Sequence, residues 1–293
     1  MFNWLLSHGK YGVQAFFVIS GFIIPYSLYR ANYQFKDYFK FLYKRVLRLH
    51  PPYLIALFIT LLIAGLSYRV RHLPNPETWQ TVLESVFYLH IPADNQVFWT
   101  LRIEAEYYVF MGLFFLLLQK FTRISLLVIV PVLLLISRMY LSEYNELPRY
   151  LCFFLTGTAG YLIYLKKENL AVELIALCML SVFSFWFYAV PAGLVSLTTT
   201  VIILFSKRSF SQLVLFPGEI SYSLYLIHFL IGSKFINIGQ RYFGHRHDIT
   251  LFLLAFVLCG FLAWIFWLFI ERPSALLSNR ARYGDKLPTP TIS

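Results

Sequence analysis

The sequence predicts an all-α fold, a polytopic transmembrane helical bundle, on three observations. Apolar residues make up 59% of the chain and charged residues 13%, with a mean hydropathy of +0.64, whereas a soluble domain is nearer half apolar and a quarter charged. The excess falls in blocks, about nine of them, each approaching the ~20 residues that cross a bilayer as a helix. The basic residues lie mostly between the blocks. The formal net charge is +11 and the pI near 9.5. Charge placed this way orients spans in a membrane rather than binding nucleic acid, so no nucleic-acid partner is expected.

The elements follow in chain order. A first span covers 12–28. The basic stretch 29–48 carries Phe35, Tyr38, Phe39, Leu42 and Val46 at helical spacing with Lys36, Lys40 and Lys44 on another face, the pattern of an amphipathic helix on the membrane surface. Pro51 and Pro52 are expected to end it, and a second span runs to about 66. The loop 68–96 is the longest before the tail and holds a short amphipathic piece, WQTVLESVFYLH. Further spans are expected at 97–119, 123–141, 149–165, 170–189, 191–206, 217–236 and 250–270. These give one transmembrane domain, 1–273, and a polar cytoplasmic tail, 274–293, expected to be disordered.

Alternate loops differ in charge. One set includes Arg30, Lys36, Lys40, Lys44, Arg45, Arg48, Lys120, Arg123, Lys166, Lys167, Lys207, Arg208, Arg272, Arg280, Arg282 and Lys286. The other includes only Lys10, Arg69, Arg71, Arg138, Arg149, Lys234, Arg241 and Arg246. The richer set belongs in the cytoplasm, which puts the C-terminus inside and the N-terminus and loop 68–96 outside. Cys152, Cys178 and Cys259 sit in apolar runs without metal-type spacing and read as inert thiols packed among helices. No metal site is expected.

Charges within spans are costly, and they mark the places where chemistry could sit. Glu104 and Glu106 flank each other beside Arg102, just after Trp99; an Arg102–Glu106 pair at i,i+4 accounts for one carboxylate and leaves Glu104 for a functional role. Arg45 and Arg48 share a helix face, either as interfacial anchors or as two forks suited to a phosphorylated cytosolic ligand. Ser221, Tyr225 and His228 form a polar stripe that either joins helices or supplies a titrating group. Ser20 and Gly21 in FFVISGF are a small pair for close helix approach, or a narrow spot beside a substrate passage.

In order along the chain, these pieces resemble acyltransferase family 3, the integral-membrane O-acyltransferases of polysaccharides, peptidoglycan and other cell-surface glycans. GKYGVQAFFVISGFIIP resembles the family's second helix, with Phe16, Phe17, Ser20 and Gly21 at the signature positions. KRVLRLHPPY resembles the Arg-x-x-Arg element, at Arg45 and Arg48. FWTLRIEAEYY resembles the Trp-Ser-Leu-x-Val-Glu stretch, through Trp99 and Glu104. GEISYSLYLIH and FIERP resemble the late signatures, through Ser221, Tyr222, Tyr225, His228 and Glu271-Arg272-Pro273.

The resemblance implies transfer of an acyl group, most often acetyl, from cytosolic acyl-CoA to a hydroxyl of an exported glycan or lipid-linked sugar, in the cytoplasmic membrane of a bacterium. Acyl-CoA is the donor substrate and no bound cofactor is expected. The partners are acyl-CoA, the sugar acceptor and the lipid bilayer. Arg45 and Arg48 would bind the donor; Phe16, Phe17, Ser20, Gly21, Trp99, Glu104, Ser221, Tyr222 and Tyr225 would line the active site or passage. The family's catalytic histidine lies on a first helix that is expected upstream of Met1, which leaves His8 and His228 as the candidates in this chain and an inactive 293-residue form as the expectation. The alternatives are a transporter or flippase, or a truncated non-catalytic member.

Overall fold

The computed structural model describes residues 11–139, 146–165, 170–206, 211–244 and 247–280. These residues are helices and their connections: α1 (Gly12–Arg30), α2 (Tyr38–Val70), α3 (Trp79–Val86), α4 (Trp99–Lys120), α5 (Thr122–Met139), α6 (Glu146–Leu165), α7 (Leu170–Phe187), α8 (Val190–Phe205), α9 (Gln212–Glu219), α10 (Ser221–Phe243) and α11 (Asp248–Arg280). The fold is all-α, as the composition requires.

Among the described residues, five helices combine the length and apolarity needed to cross a membrane: Gly12–Arg30, Phe35–Val70, Thr122–Met139, Leu170–Phe187 and Asp248–Arg280; Val190–Phe205 is apolar but shorter. Three more of the expected spans, α4, α6 and α10, have 22, 20 and 23 residues. They fall below that apolarity because they carry polar groups such as Glu104, Thr156, Thr158 and Ser223, all of which are buried in the protein. Long apolar helices with polar residues turned inward make this an integral membrane protein.

Two boundaries differ from the sequence expectation. Pro51 and Pro52 do not end a helix; α2 runs unbroken from Tyr38 to Val70 with both prolines inside. Proline removes an N–H, so Pro51 strips the Leu47 carbonyl of its usual i+4 donor. Ser274 Oγ donates to that carbonyl at 3.1 Å and supplies the missing bond. The tail was expected from residue 274, yet Ser274 to Arg280 continue α11. Ser274 and Ser278 are buried, and Ser278 Oγ donates to the Lys44 carbonyl at 2.9 Å. These bonds hold the polar segment against α2; residues 281–293 lie outside the described residues. A third, smaller shift concerns the span expected at 217–236: Pro217 lies in α9, and α10 starts at Ser221.

The chain forms two compact units. The first comprises Met1–Leu42, Ile103–Arg208 and Tyr283–Ser293. Its centre is α6, which is buried continuously from Leu151 to Leu162, as a helix surrounded by other helices must be. There α1 and α6 touch backbone to backbone. A Cβ on Gly21 would run into the Phe154 carbonyl, and one on Gly157 into that of Val18. Thr158 Oγ1 donates to the Gly21 carbonyl at 3.1 Å, across the contact. Small residues allow this approach, which drives helix association where lipid supplies no hydrophobic force.

The second unit comprises Tyr43–Arg102 and Ser209–Arg282. Its core joins Tyr53, Ala56 and Leu57 of α2 to Phe98, Leu101, Leu226, Ile227, Ala263 and Phe266. The segment 75–95, expected as an external loop, folds back along α2. Tyr53 donates to the Ser85 carbonyl at 2.5 Å, Tyr88 stacks on Tyr53 at 4.4 Å, and His50 Nδ1 meets Tyr88 Oη at 3.0 Å. From Val70 back to His50 is about 30 Å of helix at 1.5 Å per residue. Trp79, Leu83 and Phe87 point outward from α3 and are exposed, an apolar stripe at i, i+4 and i+8. Of the three thiols, Cys152 and Cys259 are buried as expected, but Cys178 is exposed. It lies among Ile175, Met179, Val182 and Trp186 on the outer apolar face of α7.

Candidate functional site

The signature residues divide between the units. In the first unit, Phe17 is fully buried and stacks on Phe154 at 4.6 Å, and Phe154 stacks on Tyr107 at 4.0 Å. Phe16, its neighbour, is exposed. Ser20 and Gly21 are buried; Gly21 serves the close crossing of α1 with α6. Glu104 is buried, and Tyr108, one turn later, donates its hydroxyl to Glu104 Oε1. Glu106 accepts the Leu147 N–H at 3.1 Å. That donor belongs to the first turn of α6, where unpaired N–H groups and the helix dipole favour a carboxylate. The two neighbouring glutamates are thereby separated: Glu106 caps a helix, and Glu104 stays inside with a tyrosine.

The second unit brings three sequence elements together around Arg48. Arg45 is partly buried and Arg48 exposed, one turn apart on α2. Glu271, buried at 8% exposure, lies on a π-helical stretch of α11 (Trp267–Glu271). A π turn inserts one residue and re-aims the side chains around it, a device often found at functional sites. Glu271 Oε2 accepts the N–H of Ser223 at 3.1 Å and its hydroxyl at 2.5 Å. Ser223 lies in the first turn of α10, so its N–H has no partner within the helix. Flanking contacts fix the arrangement: Tyr222 donates to the Leu49 carbonyl at 3.0 Å and Ser274 to that of Leu47. Arg272 turns away onto the face of Trp267, 5.5 Å from the ring centre.

One helical turn further, Tyr225 donates to the Val97 carbonyl at 2.6 Å and shares a 2.5 Å hydrogen bond with Thr100 Oγ1. This places the stripe of α10 beside the partly buried Trp99 at the start of α4. Ser221, by contrast, is exposed and bonds the Gly218 carbonyl of its own turn. His228 Nδ1 lies 3.0 Å from the carbonyls of Leu224 and Tyr225. Both are acceptors, so Nδ1 carries the proton and Nε2 is the acceptor nitrogen. His8 lies outside the described residues.

Sequence reasoning quoted Glu271 within a signature but gave it no role, and passed over Ser223, Ser274 and Ser278. The available signal was one carboxylate closing an apolar span, followed by serines four residues apart. What these residues meet is decided by the packing of α2, α10 and α11.

The ordered signatures agree with a match over residues 1–270 to the profile of a family described as an acyltransferase domain, acyltransferase family 3. A search of curated proteins found no match. Nor did a search of solved structures. The profile covers nearly the whole of the two helical units described above, and the chain belongs to acyltransferase family 3.

Proposed function

We propose that this protein moves an acyl group, acetyl in the simplest case, from cytosolic acyl-CoA to a hydroxyl of an exported polysaccharide, lipopolysaccharide or peptidoglycan sugar, in the cytoplasmic membrane of a bacterium. One observation supports the donor half of this reading: Arg45 and Arg48 share a face of α2, and the backbone beside Arg48 is tied to α10 and α11 by Tyr222 on the Leu49 carbonyl and Ser274 on the Leu47 carbonyl. The planar fork of a guanidinium suits the phosphates of coenzyme A. The basic loops on this side set its orientation toward the cytosol.

The chemistry is acyl transfer. The acceptor oxygen attacks the thioester carbonyl, a C–O bond forms and the C–S bond breaks. The hydroxyl proton passes to a base and then to the departing thiolate. A sugar hydroxyl is a poor nucleophile, so the base needs a pKa near the working pH, which histidine supplies. Among the described histidines, His228 presents a defined acceptor nitrogen. Within the second unit, the Tyr225–Thr100 pair is available to line the route.

The test uses membranes containing this chain and [acetyl-¹⁴C]acetyl-CoA, with label followed into glycan and lipid-linked sugar. Transfer lost in Arg48→Ala but kept in Lys40→Ala supports the reading. Equilibrium binding of acetyl-CoA to the purified protein tests the donor half separately. Absence of saturable binding would refute it.

A further inference from the structure

Asn95 lies just before the short 3₁₀ turn Gln96–Phe98 that leads into α4, and it has no exposed surface. Its amide nitrogen donates to Thr60 Oγ1 at 3.2 Å and to the Leu226 carbonyl at 3.0 Å. These partners fix the amide's orientation, because the flipped group would set its oxygen against the Leu226 carbonyl oxygen. Oδ1 therefore points the other way, buried and without a hydrogen-bond partner. Among the described residues of the second unit, it is the one buried side-chain nitrogen or oxygen left in that state. Its polar neighbours are already engaged: Thr60 donates to the Ala56 carbonyl at 2.8 Å, and Tyr225 and Thr100 bond each other. Proteins rarely leave a buried carbonyl unsatisfied, and each exception calls for something that completes it.

The location narrows what that is. Spacings of four, seven and four residues put Arg45, Leu49, Ala56 and Thr60 on one face of α2. Thr60, which holds Asn95, is about 18 Å beyond Arg48 at 1.5 Å per residue. That is the scale of an extended pantetheine arm, which links the phosphates of coenzyme A to the thioester and carries two amide N–H donors. We propose that Asn95 Oδ1 accepts an amide N–H from the pantetheine arm of an acyl-CoA whose phosphates are held at Arg45 and Arg48. The inference rests on the donor reading above and deepens it: Asn95 recognises the arm at the depth where it ends.

The experiment measures equilibrium binding to the purified full chain of two probes, acetyl-CoA and adenosine 3′,5′-bisphosphate, which has the nucleotide end without the arm. Asn95→Leu should weaken acetyl-CoA by about three- to tenfold, the range of one net hydrogen bond, and leave the bisphosphate unchanged. Thr60→Val, which loosens the amide without removing Oδ1, should have a smaller effect of the same kind. A third probe, acetyl-CoA N-methylated at its pantetheine amides, should bind the unaltered chain more weakly than acetyl-CoA does, a comparison that holds even where Asn95→Leu fails to fold. If Asn95→Leu weakens both probes equally, or neither, or if N-methylation changes nothing, the proposal is overturned and Oδ1 faces only water. Loss of both probes in Arg48→Ala marks the phosphate contact as separate. Should the unaltered chain bind neither probe, the donor reading itself falls, and this inference with it.

Discussion

Ser274 Oγ sits 3.1 Å from the carbonyl of Leu47, the backbone acceptor that loses its helical partner to Pro51. A hydroxyl from α11 thus completes a hydrogen bond that α2 cannot make for itself, and a proline pair that would stop most helices is carried in mid-helix. The same face of α11 presents Ser278 to Lys44 and Glu271 to Ser223. The helix that repairs α2 is therefore the one that supports the arginine pair.

This relationship predicts coupling between Ser274 and Pro51. Ser274→Ala should destabilise the protein by about 1–3 kcal/mol, the penalty for a buried acceptor left unmade. In a Pro51→Ala background, the restored N–H of residue 51 can take the Leu47 carbonyl, and the same substitution should matter much less. Unfolding in detergent, followed by circular dichroism for the four members of the cycle, measures this. An equal loss in both backgrounds would mean that Ser274 does not serve that carbonyl.

The proposed donor role makes a prediction about arginine identity. Arg45→Ala and Arg48→Ala should each weaken acetyl-CoA binding by roughly 1.5–3 kcal/mol, the range for hydrogen bonds to charged groups. Lys40→Ala, on the same basic stretch, should change binding little. Arg48→Lys should recover only part of the affinity, because an ammonium cannot present two parallel donors. Uniform behaviour of all three alanine variants would reduce the arginines to membrane anchors.

The crossing of α1 and α6 leaves no room for a methyl group at Gly21 or Gly157. Gly21→Ala should destabilise the protein by about 1–3 kcal/mol through overpacking. Gly12→Ala, whose Cβ meets nothing within 4 Å, should be neutral or slightly stabilising. Thermal aggregation of fluorescent fusions in detergent would rank them; a Gly21 variant as stable as the Gly12 one would remove the close crossing.

Cysteine accessibility tests the folded-back segment and the orientation together. In a chain whose three native cysteines are replaced by serine, Asn75→Cys should react with a membrane-impermeant maleimide added from outside. Ser85→Cys, at a position with no exposed surface, should stay protected until the protein is unfolded. A fluorescent protein fused after Ser293 should report the cytoplasm. Labelling of both cysteines alike would return 75–95 to an open external loop, and a non-cytoplasmic fusion would invert the topology.

The sequence by itself determined the class of the fold, because apolar blocks of bilayer length leave few alternatives to helices. It also located the pair Arg45 and Arg48, the small pair Ser20 and Gly21, and buried Glu104, since spacing along one helix is a local property. It placed the prolines correctly but misjudged their effect: whether Pro51 ends a helix depends on whether another chain segment can reach the Leu47 carbonyl. Tertiary structure alone decided that Ser274 does so, that Glu271 meets Ser223, that Glu106 caps α6 while Glu104 does not, and that Asn95 directs an unpaired oxygen into the second unit. Each of these joins residues far apart in the chain, and hydrogen-bond partners at that separation are selected by how helices pack, which periodicity does not encode.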